Sequence, residues 1–258
     1  MKNENILILA NLAEKKMLFF HSKFFKFLLS SIMAGVFCGL GMILAYTSAG
    51  SLIYYEATKG LAKLIFGISF ALSFTLIIYA GSELFTGSIL IMTIGKLEKN
   101  LLNLEILKSL FTIYVGNFIG ATFIALLIGS SGLLKNSETG NYILLNTSIK
   151  MNLSFWESFS RGILCNMLVC LAVWICNKIK SDSAKLIILI WCVYGFCTSG
   201  FEHSIANMAL FIMAFTSPVK NVNITLLGYL NNIIPVTLGN IVGGCVFVGM
   251  VYYFINKE

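Results

Sequence analysis

Gly81-Ser82-Glu83-Leu84-Phe85-Thr86-Gly87-Ser88 falls inside an apolar run, residues 64–95, that carries no other charge between Lys63 and Lys96. At 32 residues the run is too long for one crossing of a roughly 30 Å hydrocarbon layer and too short for two crossings with a loop. A second run, 186–215, is interrupted in the same way by Thr198-Ser199-Gly200-Phe201-Glu202-His203-Ser204. Each run reads as a helix that breaks inside a membrane and resumes. Backbone polar groups at that depth are tolerated only where protein or a water-filled cavity satisfies them, so the two breaks are where function is expected.

The composition agrees with a lipid solvent. Of 258 residues, 58% are hydrophobic and only 11% charged, against roughly 25% charged in ordinary globular domains. The net charge of +7 does not point to nucleic acid, because the basic residues form no stripe alternating with aromatics. All seven cysteines lie in apolar segments without a CxxC pair and read as small hydrophobes. No cleavable signal pattern is present.

Four further apolar runs are ordinary single spans: 27–55, 109–134, 155–177 and 224–255. With the two broken runs this makes an all-α membrane protein of six transmembrane helices, with residues 1–26 as an N-terminal cytoplasmic or interfacial segment and 27–258 as one channel domain. Apolar residues at helical spacing between Asn5 and Phe20 suggest a helix lying in the interface. Twelve lysines fall on the side of the two termini (Lys2, Lys15, Lys16, Lys23, Lys26, Lys96, Lys99, Lys108, Lys178, Lys180, Lys185, Lys257) and five on the other (Lys59, Lys63, Lys135, Lys150, Lys220). That bias places both termini in the cytoplasm.

The chain also repeats itself. Gly35-Val36-Phe37-Cys38 parallels Gly162-Ile163-Leu164-Cys165, Gly81-Ser82-Glu83 parallels Gly200-Phe201-Glu202, and Gly116-Asn117-Phe118-Ile119-Gly120 parallels Gly239-Asn240-Ile241-Val242-Gly243. Three matches in one order indicate two halves, about 27–134 and 150–255, of three spans each. With three spans per half the second copy enters from the opposite face, and broken helices at matching positions of an inverted repeat mark a midplane substrate site. The GxxxG pairs read first as close helix packing.

Gly81-Ser82-Glu83-Leu84-Phe85-Thr86-Gly87 and Gly200-Phe201-Glu202-His203-Ser204-Ile205-Ala206-Asn207-Met208 resemble the two hallmark segments of the formate/nitrite transporter family, and the motifs at Gly162–Asn166 and Gly239–Gly244 resemble its fourth- and sixth-span motifs. The resemblance covers nearly the whole chain and is strongest to the hydrosulfide channel branch. It implies an aquaporin-like protomer with its own pore, a homopentamer in a bacterial inner membrane, and passage of formate, nitrite or hydrosulfide. It further implies a central pore histidine at His203, a pore threonine at Thr86, a vestibule lysine at Lys150, apolar constrictions at Leu84, Phe85 and Phe196 with Phe70 a weaker candidate, and supporting asparagines at Asn166 and Asn240.

The residue types suit those roles. An anion entering low dielectric needs compensating charge or neutralisation, and imidazole titrates near neutral pH. The competing reading of His203 is a hydrogen-bonded structural histidine. Thr86 offers a hydroxyl that donates or accepts, or else caps a helix. Lys150 is read as a lone cation attracting anions, or as a solvated loop lysine. Apolar collars strip water and exclude bulky ions. Glu83 and Glu202, which would repel an anion, are expected to turn back and accept backbone N–H groups of the breaks; a proton relay from Glu202 to His203 is the alternative. Arg161 is expected to pair with Glu157 or a loop carbonyl.

The expected function is therefore a membrane channel for small monovalent anions or their conjugate acids, hydrosulfide first, with a formate or nitrite channel or proton-coupled transporter as the alternative. A membrane metalloenzyme would need ligands at spacings such as HExxH, which His21 and His203 do not supply. A glycerol pore lacks Asn-Pro-Ala at either break. No enzyme activity, cofactor, metal or nucleic-acid partner is expected.

Overall fold

The computed structural model describes residues 4–135, 137–219 and 222–257; Lys2 and Lys220 of the charge count lie outside the described residues. Helix α1 (Glu4–Ser22) leads into α2 (Phe24–Gly50). The broken second span is α3 (Ala62–Tyr79) followed by α4 (Phe85–Lys99), and α5 (Asn103–Ser130) completes the first half. The second half runs α6 (Glu138–Met151), α7 (Phe155–Lys178), the broken pair α8 (Asp182–Thr198) and α9 (Ser204–Thr216), and α10 (Leu226–Asn256). Helix α10 includes Pro235 and a widened π-helical stretch, Gly243–Met250.

Local chemistry accounts for the boundaries. Ser154 and Glu157 form a reciprocal capping box that starts α7, while Ser137, Ser181 and Thr225 accept backbone N–H groups to start α6, α8 and α10. The two breaks begin with the same device. Gly81 and Gly200 both adopt φ +74°, the left-handed conformation that glycine takes without a Cβ penalty. The following N–H groups reach back to the helices they leave, Ser82 to the Ile77 carbonyl at 2.9 Å and Phe201 to the Phe196 carbonyl at 3.0 Å. Each is a Schellman stop placed inside the membrane.

Packing follows the inverted repeat pair by pair. Helix α2 packs on α3 and α5 as α7 packs on α8 and α10; α4 lies against α7 and α10 as α9 lies against α2 and α5; α3 and α8 meet across the pseudo-symmetry axis. The α2–α5 and α7–α10 crossings are close because glycines remove side-chain bulk. A Cβ on Gly35 would collide with the Asn117 carbonyl oxygen, and one on Gly239 with that of Phe159.

Lys150 is not a loop lysine: 138–151 form helix α6, with Lys150 in its last turn. The first helix does not spend its apolar face on lipid: Ile6, Leu9, Ala10, Ala13, Met17 and Phe20 are buried. Helix α1 rests on α4, α5 and α7, just as α6 rests on α9, α10 and α2. Each half thus carries a short helix under its own break.

Candidate functional site

The two breaks are held by matching asparagines. Asn117 Oδ1 accepts the Phe85 N–H at 2.9 Å, and its Nδ2 donates to the carbonyls of Ser31 and Glu83 at 2.7 and 2.8 Å. Asn240 Oδ1 accepts the Ser204 N–H at 3.0 Å, and its Nδ2 donates to the carbonyls of Gly162 and Glu202 at 2.8 and 3.0 Å. A side-chain amide offers both donors and an acceptor, which a helix start and an interrupted strand of carbonyls both require. Asn166 adds bonds from Nδ2 to the carbonyls of Asn240 and Thr86 at 2.6 and 3.3 Å.

The carboxylates do something other than expected. The backbone N–H groups of the breaks go to Asn117, Asn240 and main-chain carbonyls, and the glutamates instead bind lysines. Lys150 Nζ lies 2.7 Å from Glu202 Oε1, whose other oxygen accepts from Asn207 at 2.6 Å and Asn232 at 3.3 Å. Glu83 pairs with Lys16 of α1 and also accepts from Ser88 Oγ at 3.5 Å. All four ionic side chains are at least four-fifths buried, so each charge requires its partner. Lys150 is therefore not a lone cation. Glu157 is occupied by its capping box, and the Arg161 side chain has no ion pair among the described residues; the Arg161 carbonyl accepts the Glu202 N–H at 3.2 Å.

His203 is both a cap and a contact. Its Nδ1 accepts the Ala206 N–H at 3.2 Å, closing the start of α9, and its Nε2 lies 3.0 Å from Thr86 Oγ1. Because Nδ1 accepts, we assign the proton of the neutral ring to Nε2, which donates to the threonine oxygen. The threonine hydroxyl hydrogen is then free to donate onward. Thr86 is not a helix cap: Leu84 precedes α4, and no side chain caps it.

Cavities open on either side of this pair. One mouth, of about 340 Å³, is lined by residues including Lys16, Glu83, Leu84, Cys176 and Lys185. The opposite mouth, of about 140 Å³, is lined by residues including Tyr46, Lys63, Phe70, Lys150, Phe196 and His203. Between them Cys38, Ser73 and Val169 help to line a chamber of about 10 Å³, space for one water-sized particle. Phe74, Ile77 and Leu84 border both the chamber and the first mouth, while Phe70, Phe196 and His203 border both the chamber and the second. Phe196 stacks on the imidazole with centroids 5.9 Å apart, and Phe70 meets Phe196 edge-on at 6.2 Å. On α6, burial pushes the Tyr142 phenol up from its ordinary value, so it faces the second mouth as a neutral hydroxyl.

The structure thus gathers His203, Leu84, Phe196 and Phe70 around one chamber, with Thr86 hydrogen-bonded to the imidazole beside it, Lys150 on the second mouth paired with Glu202, Glu83 on the first mouth, and Asn166 and Asn240 bonded to carbonyls of the breaks. Phe85 is the exception. It turns into a separate lateral groove and packs on Tyr114, with ring centroids 4.9 Å apart. Sequence reasoning missed Lys16, although the helical stripe of its segment was visible, and Asn117, although the repeat paired it with Asn240. Asn207 lies within the second hallmark segment but has no distinct signal of its own there, and Asn232 carries none beyond its rarity in an apolar segment.

Two inverted halves, each breaking a span at a buried polar centre that joins two cavities, define a multi-pass membrane transport protein. The chain belongs to the formate/nitrite transporter family, whose model matches residues 3–254. It is 36% identical over 239 residues to the nitrite transporter NirC of Escherichia coli (strain K12), covering 90% of this chain and 84% of that one. Among solved structures, a channel described as an FNT family ion channel superposes with a TM-score of 0.90 at 33% identity, covering 98% of both chains. A pentameric formate channel with formate bound superposes with a TM-score of 0.79 at 30% identity, covering 91% of this chain and 98% of that one.

Proposed function

We propose that this protein is a facilitative channel for small monovalent anions or their conjugate acids, with no enzymatic activity. The observation that carries the reading is the His203 ring, hydrogen-bonded to Thr86 and bordering a small chamber between two apolar constrictions that each open to a lysine-bearing mouth. An ion approaching the chamber exchanges water for hydrocarbon on both sides, a costly transfer unless a donor meets it there. The free hydroxyl hydrogen of Thr86, backed by the imidazole Nε2–H, is that donor. Leu84 forms one constriction and Phe70 with Phe196 the other; Phe85 has no part in either. Lys150 and Lys16 supply positive charge beside the mouths while their glutamate partners hold the breaks in place.

Hydrosulfide is the cargo we favour, because a chamber with space for one water-sized particle suits it without side-chain movement. Formate or nitrite is the second reading, supported by the names of the relatives. The likeness to a pentameric channel supports a homopentamer in which each protomer carries its own path. The lysine bias supports a cytoplasmic side for both termini, α1 and the larger mouth in a bacterial inner membrane, with the smaller mouth outside.

The test is a flux panel in proteoliposomes with hydrosulfide, formate, nitrite, chloride and glycerol at two pH values. Rapid flux of the compact weak-acid anions with glycerol excluded is the expected result. Equal glycerol permeation with no anion flux would overturn the reading.

A further inference from the structure

The two mouths are related by the internal repeat, yet their charges differ. In the smaller mouth Lys150 is cancelled by Glu202, and in the larger mouth Lys16 is cancelled by Glu83. Each mouth has one more lysine on its wall, Lys63 in the smaller and Lys185 in the larger. Lys185 lies 3.3 Å from Asp182. Lys63 pairs with no carboxylate among the described residues, and its neighbour Glu56 is taken by Lys59 at 3.7 Å. The other titratable groups on that wall, Tyr46, Tyr142, Cys197 and His203, carry no negative charge in their neutral forms. With His203 neutral the smaller mouth therefore has a net charge of one positive unit, and the larger mouth has none.

The repeat sharpens the contrast. Lys63 stands 18 residues before Gly81, and Asp182 stands 18 residues before Gly200, so the two occupy the same position in the two halves. Asp182 opens α8, where a helix N-terminus favours a negative charge. Lys63 sits in the first turn of α3, where the same dipole opposes a cation. A lysine held against its helix dipole, exposed on the wall of a narrow cavity, calls for another reason to be there.

We propose that Lys63 is an anion-capture residue, which makes the smaller mouth the electrostatically preferred side for anion arrival. The inference rests on the channel reading above. A uniform positive charge in a cleft with low-dielectric walls raises the local anion concentration and the rate of capture, and this effect fades as salt screens it. The Thr198 hydroxyl, 3.5 Å from the Lys63 carbonyl, ties the backbone of this residue to the end of α8, close to the break.

The experiment uses the full chain in proteoliposomes, with formate, nitrite and hydrosulfide as probes, at about 10 mM and about 1 M ionic strength, where the Debye length is roughly 30 Å and 3 Å. Lys63→Gln is expected to lower flux at limiting anion about threefold in low salt, the size expected for removing one unit charge about 6 Å from an ion in a water-like dielectric. Saturating flux should be unchanged, and the difference should vanish in high salt. Lys63→Arg should behave as the wild type, and so should Lys59→Gln, which removes a nearby exposed lysine outside the mouth. Unchanged low-salt flux in Lys63→Gln, or an equal loss in Lys59→Gln, would overturn the proposal while leaving the channel reading intact. A wild-type protein that passes none of the three probes would overturn both.

Discussion

Thr86 Oγ1 lies 3.0 Å from His203 Nε2, joining residues 117 positions apart. The bond does not link equivalent positions of the repeat. By the alignment of Gly81 with Gly200, His203 corresponds to Leu84 and Thr86 to Ile205. The backbone around the chamber is therefore symmetric while its chemistry is not: one lip presents an isobutyl group and the other an imidazole. A symmetric pair of apolar lips would exclude ions, and a symmetric pair of imidazoles would place two titratable rings in one small chamber.

Thr86→Val tests the hydroxyl. The side chain keeps its volume but removes the hydroxyl hydrogen offered to the cargo, a hydrogen bond to an ion worth about 1.5–3 kcal/mol. Anion flux in proteoliposomes should fall roughly tenfold or more, because about 1.4 kcal/mol added to a barrier is a factor of ten in rate. Retained wild-type flux would remove Thr86 from the conduction path.

Two substitutions separate the roles of His203. His203→Leu removes both the titratable ring and the cap of α9, which is worth about 1 kcal/mol. His203→Asn restores an N-cap acceptor without a titratable ring. Melting temperature should drop in the first and recover in the second, while both should flatten the dependence of flux on pH. A pH profile identical to the wild type in His203→Asn would assign the histidine to structure alone.

The Lys150–Glu202 pair should behave as a coupled unit. Lys150→Met or Glu202→Gln alone leaves a buried charge without its partner, at about 3–5 kcal/mol. The double variant should lose less than the sum, and the double-mutant cycle measured by denaturation of the purified protein gives the coupling directly. Additive losses would mean that the two side chains act independently.

Gly81→Ala and Gly200→Ala isolate backbone strain from packing, because no atom lies within 4 Å of a Cβ built at either position. Each should cost about 1–2 kcal/mol, the penalty for a side chain in the left-handed region. An unchanged melting temperature in both would show that the Schellman stops do not require glycine.

Much of this architecture is legible in the sequence. Hydropathy, the run lengths and the glycines beside Glu83 and Glu202 are local signals, so six spans and two breaks follow from residues read in order. The inverted repeat was legible as well, because equivalent positions kept the same small or polar residues at Gly35 and Gly162, or at Asn117 and Asn240. The family resemblance singles out Lys150, but its helix is not legible: Glu138–Met151 mixes polar and apolar residues too evenly to mark a buried stripe.

What the chain alone determined is where it breaks, since hydrocarbon thickness limits span length and only glycine turns so sharply at no steric cost. The three-dimensional packing decided which side chains meet. Leu84 has extended backbone as the residue before α4, while Phe85 is the first helical residue, so their side chains leave the chain in different directions. Leu84 and Phe85 are neighbours in sequence, yet Leu84 borders the chamber while Phe85 turns into the lateral groove. Lys16 finds Glu83 across 67 positions because α1 is docked beneath that break. Facing and docking arise from how the helices settle against one another, and no stretch of residues read in order contains them.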